Sequence, residues 1–166
     1  MARKKQSGKS KSGRLRIVAG NWRSRLLEIA DVPGLRPTSE RIRETLFNWL
    51  APHIAGARCL DLFAGTGALG LEALSRGAAS ATFVESSKSA VATLRRNVKA
   101  LEAENATVLE ADAFDYLRRG DSQSFDVVFL DPPFAADILD ELCRLLDEGS
   151  LLSPGAHVYV EEDRDR

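Results

Sequence analysis

Residues 58–77 commit this chain to an α/β arrangement. Arg58-Cys-Leu-Asp-Leu62 has strand length and apolar character, and Asp-Leu-Phe-Ala-Gly-Thr-Gly-Ala-Leu-Gly, from Asp61 to Gly70, carries it through a glycine turn into a helix that runs to about Arg76 and is capped by Gly77. A strand joined so tightly to its helix belongs to a β-α-β unit, which pairs strands in parallel. The rhythm repeats downstream. Strands are expected over 81–84, 107–109, 125–130 and 157–160, with helices over 88–101, 114–118 and 137–148. Short loops between them imply a mainly parallel sheet covered by helices on both faces. Upstream, 15–19 and 25–29 flank Gly20-Asn21 and read as a β-hairpin. After a turn-rich connector over 32–37, Thr38 or Ser39 caps a helix whose apolar face is Ile42, Leu46, Phe47, Trp49 and Leu50, and which Pro52 ends. The organisation is a disordered basic tail (1–13), a hairpin and helix (14–52) and a ligand-binding core (53–166), together one compact domain.

With 166 residues, 44% of them hydrophobic, the chain can bury one sizeable core. No apolar run has membrane-spanning length, and the basic N-terminus lacks the apolar stretch of an export signal, so a cytoplasmic protein is expected. Cys59 and Cys143 then read as reduced thiols at buried positions. The net charge of −1 hides an asymmetry: the first 16 residues hold seven bases and no acid, leaving 16 bases against 24 acids in the rest. A basic arm on an acidic body suits a polyanionic partner met at one end; a solubilising tail is the alternative.

Ligands of an open α/β sheet bind beyond the carboxyl ends of its strands. Those ends carry Asp61, Glu85, Asp112 and Asp131. Gly65 to Gly70 spells the G-x-G-x-x-G of dinucleotide sites, where a pyrophosphate sits on the helix N-terminus. Asp61 argues against that ligand: at the mouth of the loop a carboxylate repels phosphate and attracts an ammonium or a sulfonium. S-adenosylmethionine carries both cations and no phosphate. Ala64, Gly65 and Gly67 would let it approach the backbone, Glu85 would take ribose hydroxyls, and Asp112 with the Ala113 backbone would take adenine. Each of these acids has a plainer reading as a capping or solvated loop carboxylate.

Asp131-Pro132-Pro133-Phe134 follows the strand over 125–130. Two prolines remove two backbone donors and stiffen the turn, leaving the Asp131 carboxylate and the Pro132 carbonyl as acceptors. That pair suits an amino group with two N–H donors, and Phe134 suits stacking on the ring that bears it. Methyl transfer to an exocyclic amine is the chemistry this favours, a rigid strand-end turn being the alternative.

These features resemble the class I S-adenosylmethionine-dependent amino-methyltransferases, whose fold is Rossmann-like. More narrowly, Arg16-Ile-Val-Ala-Gly-Asn-Trp-Arg23, Leu35-Arg-Pro-Thr38, Arg41-Ile-Arg-Glu-Thr-Leu-Phe-Asn48 and the segment from Asp61 to Gly77 resemble the bacterial 16S ribosomal RNA guanine-N2-methyltransferase family, over about Leu15 to Glu162. The resemblance implies methylation of a guanine N2 in 16S rRNA within a 30S subunit or assembly intermediate. A monomer is expected, with no membrane and no metal. The resemblance places Asp61, Gly65, Gly67, Glu85 and Asp112 in the cofactor pocket and Asp131, Pro132, Pro133 and Phe134 at the reaction centre. One departure stands out: the family's sheet continues into a terminal β-hairpin that this sequence lacks. The Asp-Pro-Pro-Phe turn is shared with DNA methyltransferases, so adenine or cytosine methylation, and an RNA-binding assembly factor with a vestigial pocket, are the competing readings. Arg14, Arg16, Trp22, Arg23, Arg25, Arg36, Arg41 and Arg43 form the expected RNA-binding set, with ion pairs to acids the alternative for Arg36, Arg41 and Arg43. His53 and His157 are expected to have no catalytic part.

Overall fold

A strand buried on both faces belongs in the middle of a sheet, and β3 (Arg58–Leu62) is there. The computed structural model describes residues 13–33, 35, 38–132 and 135–161, with only the backbone described at 135–137. On one side of β3 lie β4 (Ser80–Glu85) and then β5 (Ala106–Glu110); on the other lie β6 (Phe125–Leu130) and then β7 (Leu152–Val160). Every pairing in this five-stranded sheet is parallel. The chain steps outward from β3 to β5, then returns to the far side of β3, so a switch point opens between β3 and β6.

Alternate residues of each strand point to opposite faces. Cys59, Ala81, Phe83, Val127 and Phe129 meet α1 (Glu40–Ile54), α2 (Ala68–Ser75), α3 (Lys88–Ala100) and the N-terminal hairpin. Leu60, Leu62, Val84, Val128 and Leu130 meet α4 (Ala113–Arg119) and α5 (Ala135–Glu148). Cys59 is buried as expected. Cys143 is exposed, because α5 turns Leu142 and Leu146 to the core and leaves its neighbour outside. Among the described residues no helix is long and apolar enough to cross a membrane.

The hairpin forms from β1 (Arg14–Arg16) and β2 (Leu26–Glu28), paired antiparallel. A two-stranded hairpin is marginal alone, and this one is fastened to α2. Glu72, 0% exposed, accepts from Val18 N at 2.8 Å, Ala19 N at 3.1 Å, Arg76 Nε at 2.9 Å and Arg43 Nη1 at 3.4 Å. Ser75 Oγ accepts from Trp22 N at 3.0 Å and donates to Ala19 O at 2.6 Å. Gly20, at φ +85°, crosses so close to the end of α2 that a Cβ there would collide with the Ser75 carbonyl. Asn97 of α3 closes the far end, donating to Glu28 O at 2.8 Å and accepting from Glu28 N at 3.2 Å.

Helix α1 begins at Ser39, whose Oγ accepts from Ile42 N at 3.2 Å. Its buried face is Arg43, Leu46, Phe47, Leu50 and Ile54. Ile42 and Trp49, expected on that face, are 44% and 77% exposed, because they sit one position off the buried stripe. The helix also runs through Pro52 rather than stopping there. The carbonyl deprived of its donor belongs to Asn48, on an exposed turn where water can serve it. Helix α1 lies antiparallel to β7: the rings of His53 and His157 stack 4.0 Å apart at one end, and Ile42 and Tyr159 line a shared cavity of about 210 Å³ at the other. Strand β7 is longer than expected. Leu152 pairs with Phe125 and His157 with Val127, so the sheet absorbs Pro154 and Gly155 in an irregularity, with Gly155 at φ +75°.

Candidate active site

All five parallel strands deliver their carboxyl ends to one edge, and the switch point places the glycine turn after β3 beside Asp131 after β6. The turn is built from left-handed residues, Phe63 (φ 57°), Gly65 (φ 54°) and Gly67 (φ 78°). Ala64 N donates to Val84 O at 3.0 Å and Gly67 N to Ala64 O at 2.7 Å, pinning the turn to β4. At Gly67 the reason for glycine is double: the positive φ, and a Cβ that would strike Leu94. Thr66 Oγ1 accepts from Ala68 N at 3.3 Å and caps the first turn of α2.

Asp61 does not stand free at the mouth of this turn. It is 3% exposed and lies beneath it, with Oδ2 accepting from Gly70 N at 3.0 Å. Burial pushes its carboxyl well above the ordinary value, the Asp131 and Glu85 charges add to the rise, and the Gly70 N–H opposes it. The expected repulsion of pyrophosphate therefore loses much of its force, because Asp61 is sealed from the mouth of the turn and one of its oxygens is already bonded to Gly70 N. Its visible work is to hold the start of α2 under the turn.

Glu85 ends β4. Burial raises its pKa, and the neighbouring backbone N–H groups of Ser87 and Ser86 oppose the rise. Its Oε2 is buried and has no hydrogen-bond partner among the described residues. Asp112 is exposed and caps α4, Oδ1 accepting from Asp115 N at 3.1 Å, so one of its two oxygens is already engaged. Ala113 is buried as the first residue of that helix, where backbone N–H groups have no intrahelical acceptor.

Asp131 is half-buried at the end of β6 and Pro132 is buried behind it. Pro133 and Phe134 lie outside the described residues. Beside Asp131 stands Glu161, which the sequence reading passed over as part of a charged terminal run. Leu130 pairs with Val160, and Glu161 N donates to Leu130 O at 3.0 Å, so Asp131 and Glu161 are the next residues out on adjacent strands. Burial, then the charge of Glu161 and a hydrogen bond to it, push the Asp131 carboxyl up to about 7. The rule that picked out Asp61, Glu85, Asp112 and Asp131 also applies to β7, whose next residue is Glu161.

The expected RNA-binding residues divide. Arg14, Arg23 and Arg41 are exposed. Arg16 is half-exposed and pairs with Glu40 at 2.7 Å; Arg25 is exposed and donates to Ala100 O at 3.2 Å. Trp22 is partly buried against the core beneath the hairpin. Arg43 is a correction. It is 2% exposed and donates to Arg16 O at 2.8 Å, Thr38 O at 3.1 Å and Glu72, so it ties α1 to the hairpin and offers nothing to a phosphate. Arg36 lies outside the described residues.

Residues 15–166 match the family model described as conserved hypothetical protein 95. The chain is 48% identical to ribosomal RNA small subunit methyltransferase D of Escherichia coli strain K12, over 96% of this chain and 80% of that one. It is 46% identical to the Haemophilus influenzae protein of the same name, over 93% of this chain and 81% of the other. A candidate methyltransferase of Escherichia coli, solved as a structure, superposes with a TM-score of 0.84 at 45% identity, over 90% of this chain and 81% of that one.

Proposed function

This chain belongs to the conserved hypothetical protein 95 family, and from that membership we propose that it methylates the exocyclic N2 of a guanine in 16S ribosomal RNA, using S-adenosylmethionine, as the small subunit assembles. The observation that carries the reading is likeness along nearly the whole chain to small-subunit rRNA methyltransferases, hairpin and first helix included.

The residues present fit that cofactor. The buried Glu85 Oε2, which has no hydrogen-bond partner among the described residues, is an acceptor that a ribose hydroxyl would satisfy. The turn at Gly65 and Gly67 admits a ligand against the backbone, with Asp61 bracing it from below. The Ala113 N–H and the second Asp112 oxygen suit an adenine edge. Bound there, S-adenosylmethionine supplies a methyl group on a sulfonium sulfur.

The protein's part in the transfer is to hold the amine. The Asp131 carboxylate accepts one N2–H and the Pro132 carbonyl the other, which orients nitrogen toward the methyl group and supports the positive charge that develops on it. Phe134 stacks on the base and Pro133 stiffens the turn, assignments that rest on the sequence. Asp131 takes the proton that nitrogen sheds; a carboxyl raised to about 7 can hold that proton and pass it to water at neutral pH.

Arg14, Arg16, Arg23, Arg25, Arg36 and Arg41, with Trp22 and the basic residues before Gly13, make up the RNA-facing side. Deleting residues 1–13 removes Arg3, Lys4, Lys5, Lys9 and Lys11 and is expected to weaken rRNA binding and flatten its salt dependence. Unchanged affinity at two ionic strengths would refute that part. The activity is tested by offering labelled cofactor to 30S particles, naked 16S rRNA and DNA, followed by nucleoside analysis. N2-methylguanosine from particle or rRNA is the expected product; label only in DNA, or none, refutes the proposal.

A further inference from the structure

The Asp-Pro-Pro-Phe turn explains how an amino group is held but not which base carries it. Guanine, adenine and cytosine all offer an exocyclic amine with two donors. They differ at the ring nitrogen beside it. In guanine that position is N1–H, a donor; in adenine it is N1 and in cytosine N3, both bare acceptors. A group that only accepts, placed beside the amine site, therefore admits guanine and repels the other two.

Glu161 is such a group. It is held beside Asp131 by the backbone bond from its own N to Leu130 O, 3.0 Å. Its Oε2 is buried with no hydrogen-bond partner among the described residues. Two half-buried carboxyls side by side repel one another, and an arriving N–H donor relieves that repulsion. The Asp131 carboxyl is accordingly raised to about 7, by burial first and then by the Glu161 charge. Guanine brings three N–H donors in a row, enough for Asp131, the Pro132 carbonyl and one acceptor more.

We propose that the Glu161 carboxylate accepts the N1–H of the target guanine and is the residue that selects guanine among bases bearing a similar amine. This rests on the guanine-N2 reading above. It also assigns a use to the Glu161 Oε2, a buried oxygen with no hydrogen-bond partner among the described residues.

The test replaces one donor and keeps the amine. Once the methylated nucleotide has been mapped, small-subunit particles are reconstituted with guanosine or 2-aminopurine riboside at that position. 2-Aminopurine keeps the C2 amine but has a bare N1. kcat/KM is measured for the wild type, Glu161→Met and Glu161→Gln, in buffer well above the Asp131 value so that no shared proton can donate to N1. The wild type should favour guanosine by about 10- to 100-fold. Glu161→Met keeps the side-chain length, removes the acceptor and buries no charge; it should bring the preference within about threefold, chiefly by slowing guanosine. Glu161→Gln should restore much of the preference, since its amide donates to Asp131 and leaves its carbonyl for N1–H. Cofactor affinity, by calorimetry, should be unchanged in both variants. A preference in Glu161→Met equal to that of the wild type overturns the assignment. If the wild type puts no label on N2 of guanosine, the underlying reading fails and this one with it, whatever the variants do.

Discussion

Two regions of this molecule bury charged side chains, and they treat them in opposite ways. Where the N-terminal extension meets α2, the buried Arg43 of α1 and Glu72 of α2 face each other and are further bonded to backbone, Glu72 by two N–H groups and Arg43 by two carbonyls. At the carboxyl edge of the sheet, Glu85 and Glu161 each hold an oxygen that is buried and unmatched among the described residues. A fully paired buried charge fixes the position of one element against another. An unmatched one makes sense where a ligand completes it. By that contrast the contact between extension and α2 is architecture with an exposed basic rim, and the strand ends are where we propose the ligands bind.

The contrast can be broken at several points. The largest effect is expected at Asp131: Asp131→Ala should lower kcat for rRNA methylation by about 10²- to 10³-fold, with cofactor affinity by calorimetry changed less than about threefold. Full activity in that variant removes Asp131 from the reaction centre. Next comes the paired side. Glu72→Ala strands Arg43 without its counter-charge and should cost about 3–5 kcal/mol in urea unfolding, while a loss below about 1 kcal/mol means the network is dispensable. Glu85→Ala should behave in the opposite sense, with little loss of stability but cofactor binding weaker by about tenfold or more; unaltered affinity contradicts the ribose assignment. The smallest effect is in pH. Because the Asp131 value is raised to about 7 and the carboxylate is the form that accepts from the amine, kcat/KM should be flat above that value and fall about tenfold per unit below it. A profile flat down to the ordinary carboxylate range argues for an Asp131 that is ionised throughout.

Much of the fold was legible in the sequence. Strand β6 was read residue for residue, because a strand buried on both faces is a continuous apolar run and Asp131-Pro132 marks its end. Strand β7 was read only from His157, because Pro154-Gly155 looks like a turn; a register shift within the sheet accommodates it, and no local rule foretells that. Arg43 was taken for a phosphate contact on residue type alone. Its spacing from Leu46, Phe47, Leu50 and Ile54 placed it on the buried stripe of α1, and that was the available warning. In the site, glycine turn and strand-end acids were identified, but the state of Asp61 depends on a lid of neighbouring residues that a linear pattern does not contain. Glu161 was legible by position and was hidden by the acids that follow it.

Helix α2 serves both regions at once. Its eight residues span about 12 Å; Gly70 near one end rests on Asp61 beneath the glycine turn, and Glu72 and Ser75 toward the other hold the hairpin. The extension is thus no detachable module. Excising residues 14–52 would expose the carboxylate, hydroxyl and apolar flank of the same short rod that carries the turn, so the hairpin and the glycine turn share one foundation and neither can be lost without disturbing the other.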